Sequence, residues 1–358
     1  MTDVIETIQR ESGISFPFLG DWVINPPSSF TLFGRTIYFY GVIIALGFLL
    51  GILWIAKNSK KAGIREDDIY DVIIWTIPFS IIGARLYFVL FSLDYYIANP
   101  SKIIAVWEGG LAIYGGIIAG VLVILLVCRY KKMNVLNALD LIMGGLLIGQ
   151  ILGRWGNFFN REAFGAQTEI FCRMGLTSPD GTTIYVHPTF LYESLWNLML
   201  FIVISVMLRH GKRKYNGQLF LIYLFGYGVG RAMIEGLRTD SLYIGHTNIR
   251  VSQLLSVILV LVAGTLLIVN AVRVKKGTLT LTPAYRKKDG EEEEVPADSP
   301  DTEEAPEAET APEAEEAAEA EEKQENSGEA VDAPADAQRV PEEAAPEEPG
   351  KEEDHGGE

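Results

Sequence analysis

The sequence predicts an all-α polytopic membrane protein of about seven transmembrane helices with a small external cap, its N-terminus outside and its C-terminus inside. Three observations carry that prediction. Apolar residues are gathered in long runs, Lys and Arg are concentrated in alternate connections, and ionisable residues recur at one depth across the runs.

A helix needs roughly 20 largely apolar residues to cross a bilayer core. Runs of that kind fall near 37–56, 69–93, 111–127, 139–153, 188–208, 218–236 and 251–271, the fourth being short and rich in glycine. A chain of 358 residues would otherwise suggest two or three soluble domains, a reading that the concentration of apolar residues removes. The first 36 residues are interrupted by Pro17, Pro26 and Pro27 and lack a basic stretch followed by an apolar core. A cleavable signal has that layout, so the first membrane segment is expected to stay attached.

Orientation follows from the connections, because cytoplasmic loops are enriched in Lys and Arg. The connections 57–68, 128–138, 209–217 and 272–288 hold 17 such residues, whereas 1–36, 94–110, 154–187 and 237–250 hold 8. The formal charge of −16 hides a division: residues 289–358 contain 29 acidic and 3 basic residues, leaving a basic membrane body. The expected organisation is an external segment 1–36, a membrane domain 37–271 with an external cap at about 154–187, a basic juxtamembrane segment 272–288, and an acidic tail 289–358. The tail is Glu, Ala and Pro with almost no aromatic residues, a composition that cannot bury enough apolar surface to offset chain entropy. It is expected to be a solvated cytoplasmic extension. Asp180-Gly181 and neighbouring Thr residues suggest a short hairpin in the cap. Cys128 and Cys172 fall on opposite sides in this topology and imply no disulfide.

Ionisable groups within membrane spans are costly unless they face a cavity or a partner, so their positions point to function. Tyr40, Arg85, Tyr87, Tyr114, Arg154, Glu193, Tyr227, Arg231 and Glu235 all fall in the outer part of their helices although chain direction alternates. One arginine there can simply snorkel toward the interface. Three arginines with Glu162, Glu193 and Glu235 instead suggest a polar site. Arg231, Glu235 and Arg238 share one helix face, being four and seven residues apart. The pair reads either as Glu235 neutralising Arg231 or as a held guanidinium aimed at a phosphate, which its planar fork suits. The glycine pairs flanking Tyr114 read either as close helix packing or as backbone opened near a ligand.

The run GRWGNFFNREAFG at 153–165 resembles the signature of the phosphatidylglycerol–prolipoprotein diacylglyceryl transferases. YFYG at 38–41, GARLYFVLF at 83–91, WEGGLAIYGG at 107–116, NALD at 137–140, HPTFLYE at 187–193 and YGVGRAMIEGLR at 227–238 extend the resemblance over about 35–271. It implies a seven-helix enzyme of the bacterial inner membrane with its site toward the outer leaflet. The implied reaction is attack of the lipobox cysteine thiol of a prolipoprotein signal peptide on the glyceryl carbon of phosphatidylglycerol. A thioether forms and glycerol-1-phosphate leaves. Neither a metal nor an organic cofactor is implied, and no nucleic acid. By the same resemblance Arg154 binds the head group, with Asn157, Asn160, Glu162 and Gly165 shaping its site. Arg231 is the second essential arginine, Tyr40 and Tyr227 line the pocket, and Asn137, Asp140, Glu235 and Arg238 support it. Arg85, from its depth, is expected among the head-group contacts, and Glu193 among the supporting residues.

Many members of that family carry a histidine, proposed as the base for the thiol, where this chain has Tyr114. A phenol with a pKa near 10 is a poor base at neutral pH. Tyr114, a catalytic candidate beside Arg154 and Arg231, is therefore expected either to hydrogen-bond the head group or to be activated itself by an adjacent arginine. The first is favoured, with Arg231 lowering the thiol pKa and Arg154 stabilising charge on the departing phosphate. A transporter or channel with an outer-facing anion or lipid site is the alternative. It calls for polar positions on both sides of the midplane, whereas those identified here lie on one. HExxH and GxSxG are absent, and the four histidines are scattered, which disfavours an intramembrane protease.

Overall fold

The computed structural model describes residues 13–285 except positions 21, 240, 244–246 and 248. The expectations for the acidic tail and for residues 286–288 lie outside the described residues. The described residues include seven long helices: α1 (Phe39–Asn58), α2 (Glu66–Phe91), α3 (Ile113–Tyr130), α4 (Val135–Asn160), α5 (Thr189–Arg209), α6 (Gln218–Glu235) and α7 (Val251–Lys275). Six of them are long and apolar enough to cross a membrane; α6 is the exception. Its 18 residues include Gln218, Arg231 and Glu235, which dilute its apolar content. Helix α4 is longer than the apolar run 139–153 suggests, because it continues through Arg154, Asn157 and Asn160 as helix while ceasing to be apolar.

Helix α1 packs along α4, α2 along α3 and α6 along α7, with α5 between α4 and α6. Small residues set the closest of these approaches. A Cβ on Gly115 of α3 would lie 2.3 Å from the Gly83 carbonyl oxygen and 2.3 Å from the Tyr87 Cβ of α2, so the glycines beside Tyr114 serve close packing. The outer faces carry Leu49, Trp75, Leu122, Leu126, Leu261 and Ile268 exposed, a surface suited to lipid.

At one end lies the cap. Strands β1 (Gly13–Ser15), β2 (Val23–Ile24), β5 (Met174–Thr177) and β6 (Thr183–Val186) form an antiparallel sheet in the order β2-β1-β5-β6. The expected hairpin is β5–β6, and β1 covers the edge of β5 that would otherwise present unpaired backbone. Strands β1 and β2, from the N-terminal segment, thus pair into the sheet of the cap. Ile14, Met174, Leu176, Val186 and Phe190 are its core. A second hairpin, β3 (Ser29–Leu32) with β4 (Arg35–Tyr38), leads directly into α1.

The opposite end holds the main apolar core, including Trp54, Ile69, Cys128, Leu141, Ile204 and Leu219. It is pinned by a fully buried Asp140, which accepts from the Gly217 and Phe220 amides at 2.9 and 2.8 Å and pairs with Arg213 at 3.2 Å. After α7 the chain runs back across this end as a strap. Thr282 exchanges hydrogen bonds with Asn216 at 3.0 and 3.2 Å, the Asn134 amide donates to the Ala284 carbonyl at 2.6 Å, and the Tyr285 hydroxyl donates to Asp68 at 2.8 Å. Burial raises the Tyr285 hydroxyl above the ordinary tyrosine range, which keeps it a donor at neutral pH.

Replacing Asp140 by Ala leaves the buried Arg213 unpaired and two amides without acceptors. The expected loss is about 3–5 kcal/mol, read as a large fall in melting temperature of the purified protein in detergent.

Candidate functional site

At the cap end, residues from three helices converge on one carboxylate. Glu193, in the second turn of α5, is buried, and its Oε2 meets Arg154 Nη2 of α4 at 2.6 Å. Its Oε1 accepts from Arg231 Nη1 of α6 at 3.1 Å and from Arg238 Nη1, just past α6, at 3.2 Å. Arg231 Nη2 also pairs with Glu235 Oε2 at 2.6 Å, as the four-residue spacing on one helix allows. Arg250 Nη1 donates to the Glu235 carbonyl, which fixes the end of α6. Such a fork of guanidinium groups in a weakly hydrated site is suited to a planar or tetrahedral oxyanion.

Glu162 sits in the turn after α4. Its Oε1 accepts from Asn157 Nδ2 at 2.9 Å and Asn160 Nδ2 at 3.4 Å. The flanking Arg161 and Ala163 both have left-handed backbone, φ 54° and 55°, a costly geometry for side chains with a Cβ. Arg161 secures it by reaching from Asn160 toward the N-terminal segment, where it donates to Asn25 Oδ1 and, at 2.7 Å, to the Pro26 carbonyl. Ala163 is held by Thr189, whose hydroxyl donates to its carbonyl at 2.5 Å. Gly165 lets the next residues pass between neighbours: an added Cβ would lie 2.7 Å from His187 Cβ and 2.9 Å from the Leu237 carbonyl oxygen. Its amide donates to the His187 carbonyl at 2.9 Å, and Gly165 bridges Arg238, so this turn and the arginine cluster share one scaffold.

Tyr40 lays its ring against Gly156, where a Cβ would approach Cδ2 to 2.4 Å. Tyr227 stacks on Tyr223 with centroids 5.5 Å apart and, with Trp196 and Arg231, lines a small cleft against Glu193. Tyr114, in the first turn of α3, is half-exposed; among the described residues no hydrogen bond or ion pair links it to the cluster.

Three residues named from the sequence stand apart. Asn137 and Asp140 lie at the other end of α4, where both accept from Arg213 Nη1. Arg85 is buried and donates to the carbonyls of Lys102, Ile103, Gly109 and Gly110 at 2.6–2.9 Å, with its guanidinium 5.2 Å from the Tyr96 ring. It ties the connection 92–110 to α2. Sequence reasoning passed over Arg161 and Thr189. Arg161 lies inside the signature run, but its partners Asn25 and Pro26 are about 135 residues away, and Thr189 carries no sequence signal beyond its place after Pro188.

A bundle of six or more long apolar helices with an arginine–carboxylate cluster at one end defines a polytopic membrane protein. The family model for prolipoprotein diacylglyceryl transferase matches residues 27–269. A phosphatidylglycerol–prolipoprotein diacylglyceryl transferase of Finegoldia magna is 44% identical over 239 residues, covering 67% of this chain and 93% of the relative. Those of Limosilactobacillus reuteri and Staphylococcus aureus are 45% identical over 243 residues (66% and 87%) and 39% identical over 254 residues (69% and 90%). The chain belongs to the prolipoprotein diacylglyceryl transferase family.

Lysine at position 85 keeps the charge but cannot reach four carbonyls in two directions. Arg85→Lys is expected to leave the bundle folded while making the 92–110 connection cleavable in limited proteolysis of the detergent-solubilised protein.

Proposed function

We propose that this protein transfers the diacylglyceryl group of phosphatidylglycerol to the lipobox cysteine of prolipoproteins. The observation that carries the reading is the convergence of Arg154, Arg231 and Arg238 on Glu193 in a chain of this family. The thiol loses its proton to solvent and its sulfur bonds to the glyceryl carbon. The bond from that carbon to the phosphate oxygen breaks, and the electron pair leaves with glycerol-1-phosphate. Arg154 and Arg231 bind the phosphodiester and offset the charge that grows on it, as fixed cations do where water is excluded. Asn157, Asn160 and Glu162 shape the head-group side, Tyr40 and Tyr227 flank it, and Glu235 and Glu193 hold Arg231 in place, Arg238 sharing the same Glu193 oxygen.

In this reading α6 is a seventh crossing and the cap faces outward, in line with the Lys and Arg bias of the connections at the opposite end. The protein then resides in the inner membrane with its site toward the outer leaflet, where lipid and signal peptide arrive. The acidic tail lies in the cytoplasm. Asn137 and Asp140 support the site at a distance, by fixing the far ends of α4 and α6. Arg85 serves the outer connection and not the head group.

The test is incubation of the purified protein in detergent with phosphatidylglycerol and a lipobox peptide, measuring released glycerol phosphate beside the mass of the peptide. A diacylglyceryl mass gain with equal glycerol phosphate is expected. Arg154→Ala and Arg231→Ala each should lower the rate by about 10²–10³-fold. Failure of both products in folded protein would remove the transferase reading.

Tyr114→Phe separates binding from base chemistry. A loss of about tenfold or less fits a hydrogen bond to the head group. Abolished turnover with phosphatidylglycerol binding intact would make the hydroxyl a participant in proton transfer.

A further inference from the structure

Glu193 divides its two oxygens unequally. Oε1 is shared by Arg231 and Arg238, while Oε2 is turned to Arg154. Arg231 has a second carboxylate partner in Glu235, so it stays paired whatever Glu193 does. Side-chain exposure rises from 5% for Glu193 through 11% for Arg238 and 16% for Arg231 to 23% for Arg154. The arginine easiest for a ligand to reach is thus the one whose ion pair can open without disturbing the other two. Three guanidinium groups against Glu193 and Glu235 leave one positive charge among the groups in direct contact. A phosphodiester carries one negative charge, and a phosphate monoester such as glycerol-1-phosphate carries nearly two at neutral pH.

We propose that Glu193 is the resting counter-ion of Arg154: it occupies the phosphate's place in the empty site, yields Arg154 to the incoming phosphodiester, and reclaims it as the phosphate monoester leaves. The residue is a positioning residue and touches no reacting atom. An empty site without it would hold an arginine whose charge lacks a partner, and phosphate would bind too firmly to be released. An internal competitor lowers apparent affinity by the fraction of time it occupies the site. It does so for substrate and product together, which favours turnover when release limits the rate. This inference rests on the transferase reading for the identity of the phosphate, but the counter-ion exchange itself does not depend on catalysis.

The experiment uses the full chain in detergent with glycerol-1-phosphate as the probe. Glu193→Gln should melt at lower temperature than wild type without ligand and be restored by glycerol-1-phosphate, which it should bind about tenfold more tightly than wild type. In turnover, KM for phosphatidylglycerol should fall, kcat should fall, and inhibition by glycerol-1-phosphate should strengthen. Should Glu193→Gln not accumulate, Glu193→Asp carries the test. Its carboxylate is drawn back by one methylene and should release Arg154 first, giving tighter glycerol-1-phosphate binding than wild type. Glycerol-1-phosphate binding no tighter than wild type in the folded variant, or a raised KM, would overturn the proposal and leave Glu193 a structural anchor. Tighter binding in a protein with no transferase activity would uphold the exchange and reject the transferase reading instead.

Discussion

Charge held away from water requires a partner, and that constraint organises this molecule at both ends. At the cap end Glu193 draws arginines from α4, α6 and the segment after α6 to one point. The positions of those elements follow from the need to keep each guanidinium within about 3 Å of an oxygen. At the other end Asp140 performs the corresponding task for the α5–α6 turn through Arg213 and two amides. Helix α4 carries a partner at each end, Asp140 near its start and Arg154 near its close, and so fixes the distance between the two polar layers. The apolar surface between them has little directional preference of its own.

Packing by small residues complements this arrangement. Gly83 and Gly115 bring α2 and α3 into backbone contact, and Gly165 lets the turn after α4 lie flat between His187 and Leu237. In the second case the glycine brings Arg238 into range of Glu193, because Gly165 and Arg238 are bridged by backbone. A residue of the signature run thus acts through geometry without offering any functional group.

Much of the bundle was legible in the sequence because apolar runs and their basic connections report a membrane crossing directly. All seven runs correspond to helices, although α6 falls short of the apolar content of the other six for the same reason that it matters to the site. The end of α4 was misplaced because hydropathy stops at Arg154 while the helix does not. Spacing placed Arg231, Glu235 and Arg238 on one helix face, but α6 ends at Glu235 and Arg238 lies past it, and spacing could not say that Glu193 on another helix would be the common partner of the two arginines. Arg85 shows the reverse difficulty. Its depth matches that of the site residues, yet its hydrogen bonds go to carbonyls 17 to 25 residues further along, a relation that no local pattern encodes. The cap was half visible: turn chemistry marked β5–β6, whereas the short strands β1 and β2 acquire their identity only by pairing with that hairpin.

The strap at residues 282–285 has a consequence for the order of biosynthesis. Asn216 and Asn134, on two connections, and Asp68, in the first turn of α2, all find partners in it. A chain is made from its N-terminus, so the hydrogen bonds that the strap supplies to these three sites form only after every long helix has been synthesised. Closure of that end therefore marks completion of the bundle. A ribosome stalled before residue 282 would have made seven helices whose connections at that end had not yet been drawn together.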